Sequence, residues 1–162
     1  MLNLIIRKVT EADGPPLQTV ARIAWKHTYS HIFTEEFIEK FISQAYNPEF
    51  LLRYLQDPGQ SLYVVAVDKG NIIGFAQIGP DWDFKGEFRL SRIYLLPEFI
   101  GKGIGSRLLK RCESYLRSIN HTKYGLYVHK DNEIGKSFYF KHDFARMESR
   151  DDDGEWYLTK SI

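Results

Sequence analysis

The chain has 162 residues, a size typical of one domain with a buried core. Hydrophobic residues make up 43% and charged residues 27%, which excludes a disordered chain and gives no sign of a membrane protein. The net charge of +1 provides no overall attraction to nucleic acid. One cysteine, Cys112, cannot form an intramolecular disulfide, which fits a reducing compartment. We therefore expect a soluble, cytoplasmic, single-domain protein over residues 1–162.

The N-terminal part of the chain predicts one strand followed by helices. Residues 2–9 (LNLIIRKV) predict the strand, and this apolar run is too short for a signal peptide or a membrane span. Apolar residues at helical spacing predict helices over 17–29, 34–42 and 48–55. Thr34 is the expected N-cap of the second helix.

The remainder of the chain alternates strands with helices. Residues 61–68 and 71–79 are β-rich runs joined by Lys69–Gly70, a hairpin signature. The following elements are a strand over 87–96, a helix over 106–119, a strand over 123–129, a helix over 132–144 and a terminal hairpin over 145–162 that turns at Asp153–Gly154. This order predicts an α/β (α+β) fold, with a mixed central β-sheet of about six to seven strands flanked by helices.

Three glycines, Gly101, Gly103 and Gly105, stand in the stretch LLPEFIGKGIGSRLL directly before a predicted helix. Free N–H groups at a helix N-terminus attract anions, and glycines let a phosphate approach the backbone. The P-loop string G-x-x-x-x-G-K-[ST] does not occur in the sequence. The dinucleotide fingerprint is incomplete, because Ser106 replaces its third glycine and no acidic residue follows where a ribose would need one.

A strand, a proline and G-x-G-x-G opening a helix resemble the pyrophosphate loop of the GNAT (Gcn5-related N-acetyltransferase) superfamily. The resemblance covers nearly the whole chain, since Asn132 opens a later helix that carries Tyr139 and leads to Asp143–Phe144. The segment AWKHTYSHIFTEEFIEKF resembles the acceptor-side helix pair of many bacterial members, among which the PaiA-like polyamine acetyltransferases are the most similar group. Two positions depart from the family pattern: Ile100 replaces the consensus Arg or Gln, and Asp143 replaces a Gly.

The resemblance implies an acetyl-CoA-dependent N-acetyltransferase, an acyltransferase that moves an acetyl group directly to the primary amine of a small molecule, such as the polyamines spermidine and spermine. It implies acetyl-CoA and an amine as ligands. The residues themselves show no metal-ligand spacing and no sign of nucleic-acid or membrane binding, and they leave a monomer or a homodimer open. CoA is expected to bind along the strand before the loop, the loop itself and the later helix, at Ile93, Tyr94, Leu95, Gly101, Lys102, Gly103, Ile104, Gly105, Ser106, Asn132 and Lys136.

Such a transfer needs a donor for the leaving thiolate and a base for the amine. Tyr139 is the expected general acid, because a phenol can donate to a thiolate as charge develops on sulfur. Arg89 stands where the family commonly has a glutamate, so Glu87, two residues earlier on the same strand face, is the expected base. The alternative for Glu87 is an ordinary exposed carboxylate at a strand edge.

The acceptor pocket is expected at the junction of the first two helices. His27, Tyr29 and His31 lie there, Tyr127 is expected to line the same pocket, and a histidine could also serve as the base. Acidic residues in neighbouring segments favour a cationic substrate or simply form a solvated surface: Glu35, Glu36, Glu39, Asp81 and Asp83.

Three other functions stay open at this point. The departures at Arg89, Ile100 and Asp143 suit a non-catalytic CoA-binding or regulatory domain. An acetyltransferase of protein or peptide amines would differ only in the width of its acceptor groove. A nucleotide-dependent oxidoreductase is disfavoured by the missing acidic ribose partner.

Overall fold

The computed structural model describes residues 2–162, which form one mixed seven-stranded sheet with helices on both faces. The strands are β1 (Leu4–Lys8), β2 (Leu62–Asp68), β3 (Asn71–Pro80), β4 (Phe88–Leu95), β5 (Lys123–His129), β6 (Ala145–Arg146) and β7 (Glu155–Ser161). The α-helices are α1 (Gly14–Tyr29), α2 (Glu35–Ala45), α3 (Pro48–Gln56), α4 (Ile104–Ser118) and α5 (Glu133–Lys141). The predicted fold class is confirmed. None of the helices in residues 2–162 has the length and apolar character needed to cross a bilayer.

Side-chain caps fix where the N-terminal helices begin. The Thr34 hydroxyl accepts a hydrogen bond from the backbone N–H of Phe37, so the predicted cap of α2 is confirmed. Asn47 caps α3 in the same way, with Pro48 at the first helical position. Helix α1 begins at Gly14, with prolines in its first turn, where the missing N–H costs no helical hydrogen bond.

The strand order is β1-β2-β3-β4-β5-β7-β6. All neighbouring pairs are antiparallel except β4 and β5, which are parallel and share one paired position, Arg89 with Gly125. Strand β4 stays paired with β3 as far as Leu95, whereas its other edge separates from β5 after Arg89. The sheet is therefore split at its centre, and a cleft opens between the carboxyl halves of β4 and β5.

Two hydrophobic cores lie on opposite faces of the sheet. One joins the apolar side of α4 to the sheet through residues such as Leu108, Cys112 and Leu116. The other joins α1 and α2 to the opposite face through residues such as Val20 and Ile42. Strand β2 is buried along its whole length because helices cover it from both sides.

The terminal hairpin differs in part from its prediction. Its turn lies at Asp153–Gly154 as expected, and Gly154 takes a positive φ of 77°. Its first arm is a strand of only two residues, β6, followed by a short 3₁₀ turn over 148–150. The alternation of apolar and polar residues stops there, and Asp151 instead accepts from the backbone N–H of Tyr157 and from Arg146.

Candidate active site

The glycine loop before α4 adopts a left-handed backbone conformation at two of its three glycines. Gly101 and Gly103 have positive φ values of 82° and 80°, and a Cβ at either position would meet nothing within 4 Å. Conformation rather than space therefore requires glycine here. Helix α4 begins at Ile104, so the N–H groups of its first turn have no acceptor within the helix and point out of its N-terminus. This is an anion-binding geometry.

Gly105 has a different role from the one its motif suggests. It lies inside the first turn of α4 and is buried. A Cβ on Gly105 would approach Cε2 and Cζ of Phe138 to 3.0 Å and 3.2 Å. Glycine at this position therefore lets α4 pack closely against α5.

A cavity of about 250 Å³ occupies the split between β4 and β5. The glycine loop forms one end, and α1 reaches the other. Eleven of the residues predicted for the site line this cavity: Tyr29, Ile93, Tyr94, Leu95, Gly101, Gly103, Gly105, Ser106, Tyr127, Asn132 and Tyr139. Since β3 covers only one edge of β4, the edge of Ile93–Leu95 that faces β5 has no strand partner.

Six predicted site residues do not line the cavity: His27, His31, Glu87, Lys102, Ile104 and Lys136. His27 and His31 are exposed, whereas Tyr29 between them is buried. The Lys102 ammonium lies over the ring of Phe99, and the Ile104 side chain is in the core. For these two residues, any contact with a bound anion would come from backbone N–H groups.

Lys136 is turned away from the cavity. Its ammonium lies 2.8 Å from the carboxylate of Glu133 and 4.5 Å from the centre of the Trp156 ring. It therefore stabilises the packing of α5 on β7, and its side chain does not reach the cavity in which CoA is predicted to bind.

The geometry also corrects the assignment of Glu87 as base. Its two carboxylate oxygens lie 2.6 Å and 2.9 Å from the guanidinium nitrogens of Arg150. This ion pair lowers the pKa of Glu87, whereas an effective base for an ammonium group needs a higher pKa. Glu87 precedes β4, at the end of the strand that is remote from the splayed half.

Tyr139, the predicted acid, lies on α5 with its side chain in the cavity. Its hydroxyl has no hydrogen-bond partner among residues 2–162, so the proton can be donated to a ligand. Burial, and then the neighbouring Tyr29, raise the pKa of Tyr139. The phenol is therefore protonated at neutral pH and can act as a donor.

A polar contact joins the two walls of the cavity near Tyr139. The hydroxyls of Tyr29 on α1 and Tyr94 on β4 lie 3.2 Å apart. The side-chain amide of Asn132 approaches the same Tyr29 hydroxyl to 3.5 Å, and its oxygen accepts from the N–H of Gly135. Asn132 is thus both the N-cap of α5, as predicted, and part of the cavity wall.

Ser106, a predicted site residue, pairs in the cavity with His142, which the sequence did not predict for the site. His142 Nδ1 lies 2.8 Å from the Phe138 carbonyl and donates to it, so in the neutral ring Nε2 accepts from the hydroxyl of Ser106, 2.7 Å away. Ser106 belongs to the glycine motif, but nothing in the spacing of the sequence connects it with His142. The contact depends on the packing of α4 against α5, which follows from Gly105.

Arg89 is a buried positive charge on the sheet face that α1 and α2 adjoin, and it is paired with two carboxylates. It is buried, with Nε and Nη2 bound to the carboxylate of Asp81 at 3.0 Å and 2.9 Å. Nη2 also lies 2.8 Å from Asp83. The guanidinium is thus surrounded by two carboxylates, which accounts for the two acidic residues of this loop without a substrate. In residues 2–162, no group of three or more His, Cys, Asp or Glu side chains could hold a metal ion.

The site combines an anion-binding helix start, a split sheet and a free phenol, which together define an acyl-transfer site. The chain belongs to the acetyltransferase (GNAT) family, whose sequence profile matches residues 23–144. It is 34% identical to a spermidine N(1)-acetyltransferase of Thermoplasma acidophilum, over 98% of this chain and 97% of that protein. It is 27% identical to an uncharacterized N-acetyltransferase of Lactobacillus delbrueckii subsp. lactis, over 91% of this chain and 87% of the relative.

Solved structures agree with this placement. The PaiA N-acetyltransferase of Thermoplasma acidophilum, crystallised in complex with coenzyme A, superposes with a TM-score of 0.91 at 32% identity, and 99% of each chain is covered. An acetyltransferase of Thermus thermophilus superposes with a TM-score of 0.73 at 16% identity, covering 98% of this chain and 97% of the other. The second similarity shows a shared fold alone.

Proposed function

We propose that this N-acetyltransferase transfers the acetyl group of acetyl-CoA to a primary amine of a small cationic molecule, with polyamines such as spermidine as the preferred acceptors. The observation that carries the proposal is the single cavity between β4 and β5, which joins the glycine loop to Tyr139 and Tyr29. The acceptor class rests on the similarity to the spermidine N(1)-acetyltransferase of Thermoplasma acidophilum.

The residues of the cleft fit CoA. The open backbone at Gly101 and Gly103 and the free N–H groups of the α4 first turn suit a pyrophosphate. The unpaired edge of Ile93–Leu95 offers backbone groups to an amide-containing chain that extends along β4. Ile100 is exposed beside this loop and provides no charge, so backbone donors carry the anion contact.

When bound, acetyl-CoA supplies an acetyl group activated as a thioester. The neutral amine nitrogen bonds to the carbonyl carbon of the thioester as the C–S bond breaks. Tyr139 donates its proton to the leaving sulfur, because its hydroxyl has no other partner and its raised pKa keeps it protonated, and the proton lost by the amine nitrogen restores the phenol through solvent. Tyr29 and Asn132 hold the acceptor side of the cavity in place through their shared contact. The amine enters from the side of α1, opposite the glycine loop.

The proposal is tested by incubating the protein with acetyl-CoA and a panel of spermidine, spermine, small amino acids and a lysine peptide. Released thiol is followed, and acetylated products are identified by mass spectrometry. The expected result is amine-dependent release that is greatest with the polyamines. Tight CoA binding without turnover of any amine would contradict the proposal and favour the non-catalytic CoA-binding alternative, whereas turnover of the peptide alone would favour a protein acceptor.

A further inference from the structure

Four side chains on β5 and β7 project from the sheet face that α1 and α2 adjoin. The register pairs Tyr127 with Tyr157 and His129 with Glu155, and alternate residues of a strand share a face. Tyr127 lines the cavity, and the His129 ring lies edge-on to Phe33, with 5.4 Å between ring centres. Glu155 therefore lies beside the proposed acceptor end of the cavity. It is the cross-strand partner of the residue that follows the lining residue Tyr127 on the same face of β5.

Glu155 is the half-buried carboxylate of this region that has no bound cation, since Asp152 and Asp153, which also lack one, are exposed. Asp81 and Asp83 bind Arg89, Glu87 binds Arg150, and Asp151 binds Arg146. The half-buried carboxylate of Glu155 makes no hydrogen bond or ion pair with any side chain of residues 2–162. A partly desolvated carboxylate without a partner is costly, and a cationic ligand would offset that cost.

The neighbours of Glu155 do not supply that cation. His129 Nδ1 accepts from the backbone N–H of Asp131 at 3.1 Å, so in the neutral ring the proton is on Nε2. Arg89 also faces this side, but two carboxylates already surround its guanidinium. The region around Glu155 therefore has negative charge in excess.

The charge of Glu155 reaches the cavity. Burial raises the pKa of Tyr29, and the negative charge of Glu155 adds to this rise. Burial also raises the pKa of Glu155 itself, against the opposing effect of His129. Tyr127 lines the cavity, and Phe33 lies against His129, the cross-strand partner of Glu155. Both rings offer aromatic surface to a cation or to methylene groups.

We propose that Glu155 is a specificity residue that binds the second cationic nitrogen of a diamine or polyamine whose terminal amine enters the cavity for acetylation. The inference rests on the proposed function. It explains how an enzyme with Arg89 on its acceptor face still attracts a polycation. A good substrate must then carry a second ammonium group, separated from the reacting amine by a short methylene spacer.

The test compares 1,3-diaminopropane and spermidine with propan-1-amine, which lacks the second nitrogen. Wild type is expected to prefer the diamine by about 10- to 100-fold in kcat/KM, the range of one contact to a charged group. Glu155→Gln is expected to lose most of this preference through a higher KM for the diamine and for spermidine. Glu155→Asp, which keeps the charge, should retain most of it. Glu49→Gln, the same change at an exposed position of α3, is the matched control and should match wild type.

Binding of CoA to each variant, measured by calorimetry, shows that the variant is folded. Equal efficiency of wild type with 1,3-diaminopropane and propan-1-amine would overturn the inference without need of any variant. So would an unchanged preference in Glu155→Gln, or a fall in kcat that is the same for both amines. A wild-type protein that acetylates none of these amines would instead refute the proposed function, a distinct result obtained before the variants are compared.

Discussion

The hydroxyl of Tyr29 on α1 lies 3.2 Å from the hydroxyl of Tyr94 on β4. This contact joins the helix that borders the acceptor side to the strand whose free edge borders the proposed donor side. Burial raises the pKa of both phenols, so both stay protonated and one can donate to the other. The distance between α1 and the split in the sheet is thereby fixed at the place where the two substrates meet in the proposed function.

Tyr29→Phe should impair use of the amine more than binding of CoA. The substitution leaves the Tyr94 hydroxyl and the Asn132 amide without their shared partner, which costs about 1 kcal/mol of stability. We expect kcat/KM for spermidine to fall about tenfold while the Kd of CoA changes by less than about twofold. Tyr54→Phe also removes a hydroxyl that takes part in a hydrogen bond, outside this cavity, and should leave amine kinetics unchanged. Equal kinetic effects of the two substitutions would contradict the role assigned to Tyr29.

Gly103→Ala should weaken CoA binding, and Gly70→Ala should not. Both glycines have φ near 80°, and a Cβ added to either would have no atom within 4 Å, so both substitutions impose the same backbone strain of about 1 to 2 kcal/mol. Only Gly103 precedes the N–H groups that would bind the pyrophosphate. Urea unfolding gives the stability of each variant, and calorimetry gives its Kd for CoA. Similar affinities in the two variants would show that the loop is not the anion site.

Asp13→Asn should destabilise the protein at neutral pH and have little effect in acid. Asp13 is 5% exposed and binds Arg7 at 2.7 Å and 2.9 Å, with a further bond from the Thr10 N–H. Arg7, and to a smaller extent Thr10, lower the pKa of Asp13. The carboxylate therefore contributes stability above its unfolded pKa, and this contribution is lost as pH falls through the lower folded pKa.

Urea unfolding at about pH 7 should give a loss of about 1 to 3 kcal/mol for Asp13→Asn relative to wild type. At about pH 3, below the ordinary aspartate pKa, the difference should shrink. A difference that grows as the pH falls would contradict the linkage.

Cys112 should be unreactive in the folded protein. Its side chain is fully buried on the face of α4 that packs against the sheet, and burial raises the pKa of the thiol to about 12. Because the thiolate is the reactive form, a thiol reagent such as DTNB should label none of the native protein and one site per chain after unfolding. Rapid labelling of the native protein would show that the α4 core opens. The prediction also matters for the transfer assay: if Cys112 is unreactive, the free CoA released is the one thiol that the reagent detects.

The fold and the position of the glycine loop before α4 could be predicted from the sequence because each depends on local signals. Thr34 and Asn47 are adjacent in sequence to the helix starts that they cap. Gly101 and Gly103 lie in a left-handed backbone conformation that most other residues adopt only at a cost. Tyr139 follows Asn132 at a fixed interval on a single helix, so its direction into the cavity follows from the start of that helix.

The surroundings of three other residues could not be predicted in this way, because they depend on contacts between segments that are distant in sequence. The alternation of side chains along a strand places Glu87 on the same face as Arg89. Its ion pair with Arg150, which is distant in sequence, appears only in the folded chain. Lys136 and Tyr139 lie on one helix, yet the position of Trp156 turns Lys136 away from the cleft. Glu155 follows a turn rich in Asp and carries no motif, and its importance appears only once the neighbouring carboxylates are seen to be paired.

The central claim is that the cavity between β4 and β5 is an acetyl-transfer site in which Tyr139 is the acid. The most direct test is the initial rate of CoA release from acetyl-CoA with spermidine, for wild type, Tyr139→Phe and Tyr115→Phe. Tyr115 lies on α4 outside the cavity and provides the same chemical change. We predict a fall in kcat of about 10²- to 10⁴-fold for Tyr139→Phe, with the Kd of CoA retained, and no change for Tyr115→Phe. A Tyr139→Phe enzyme that keeps the kcat of wild type would contradict the account.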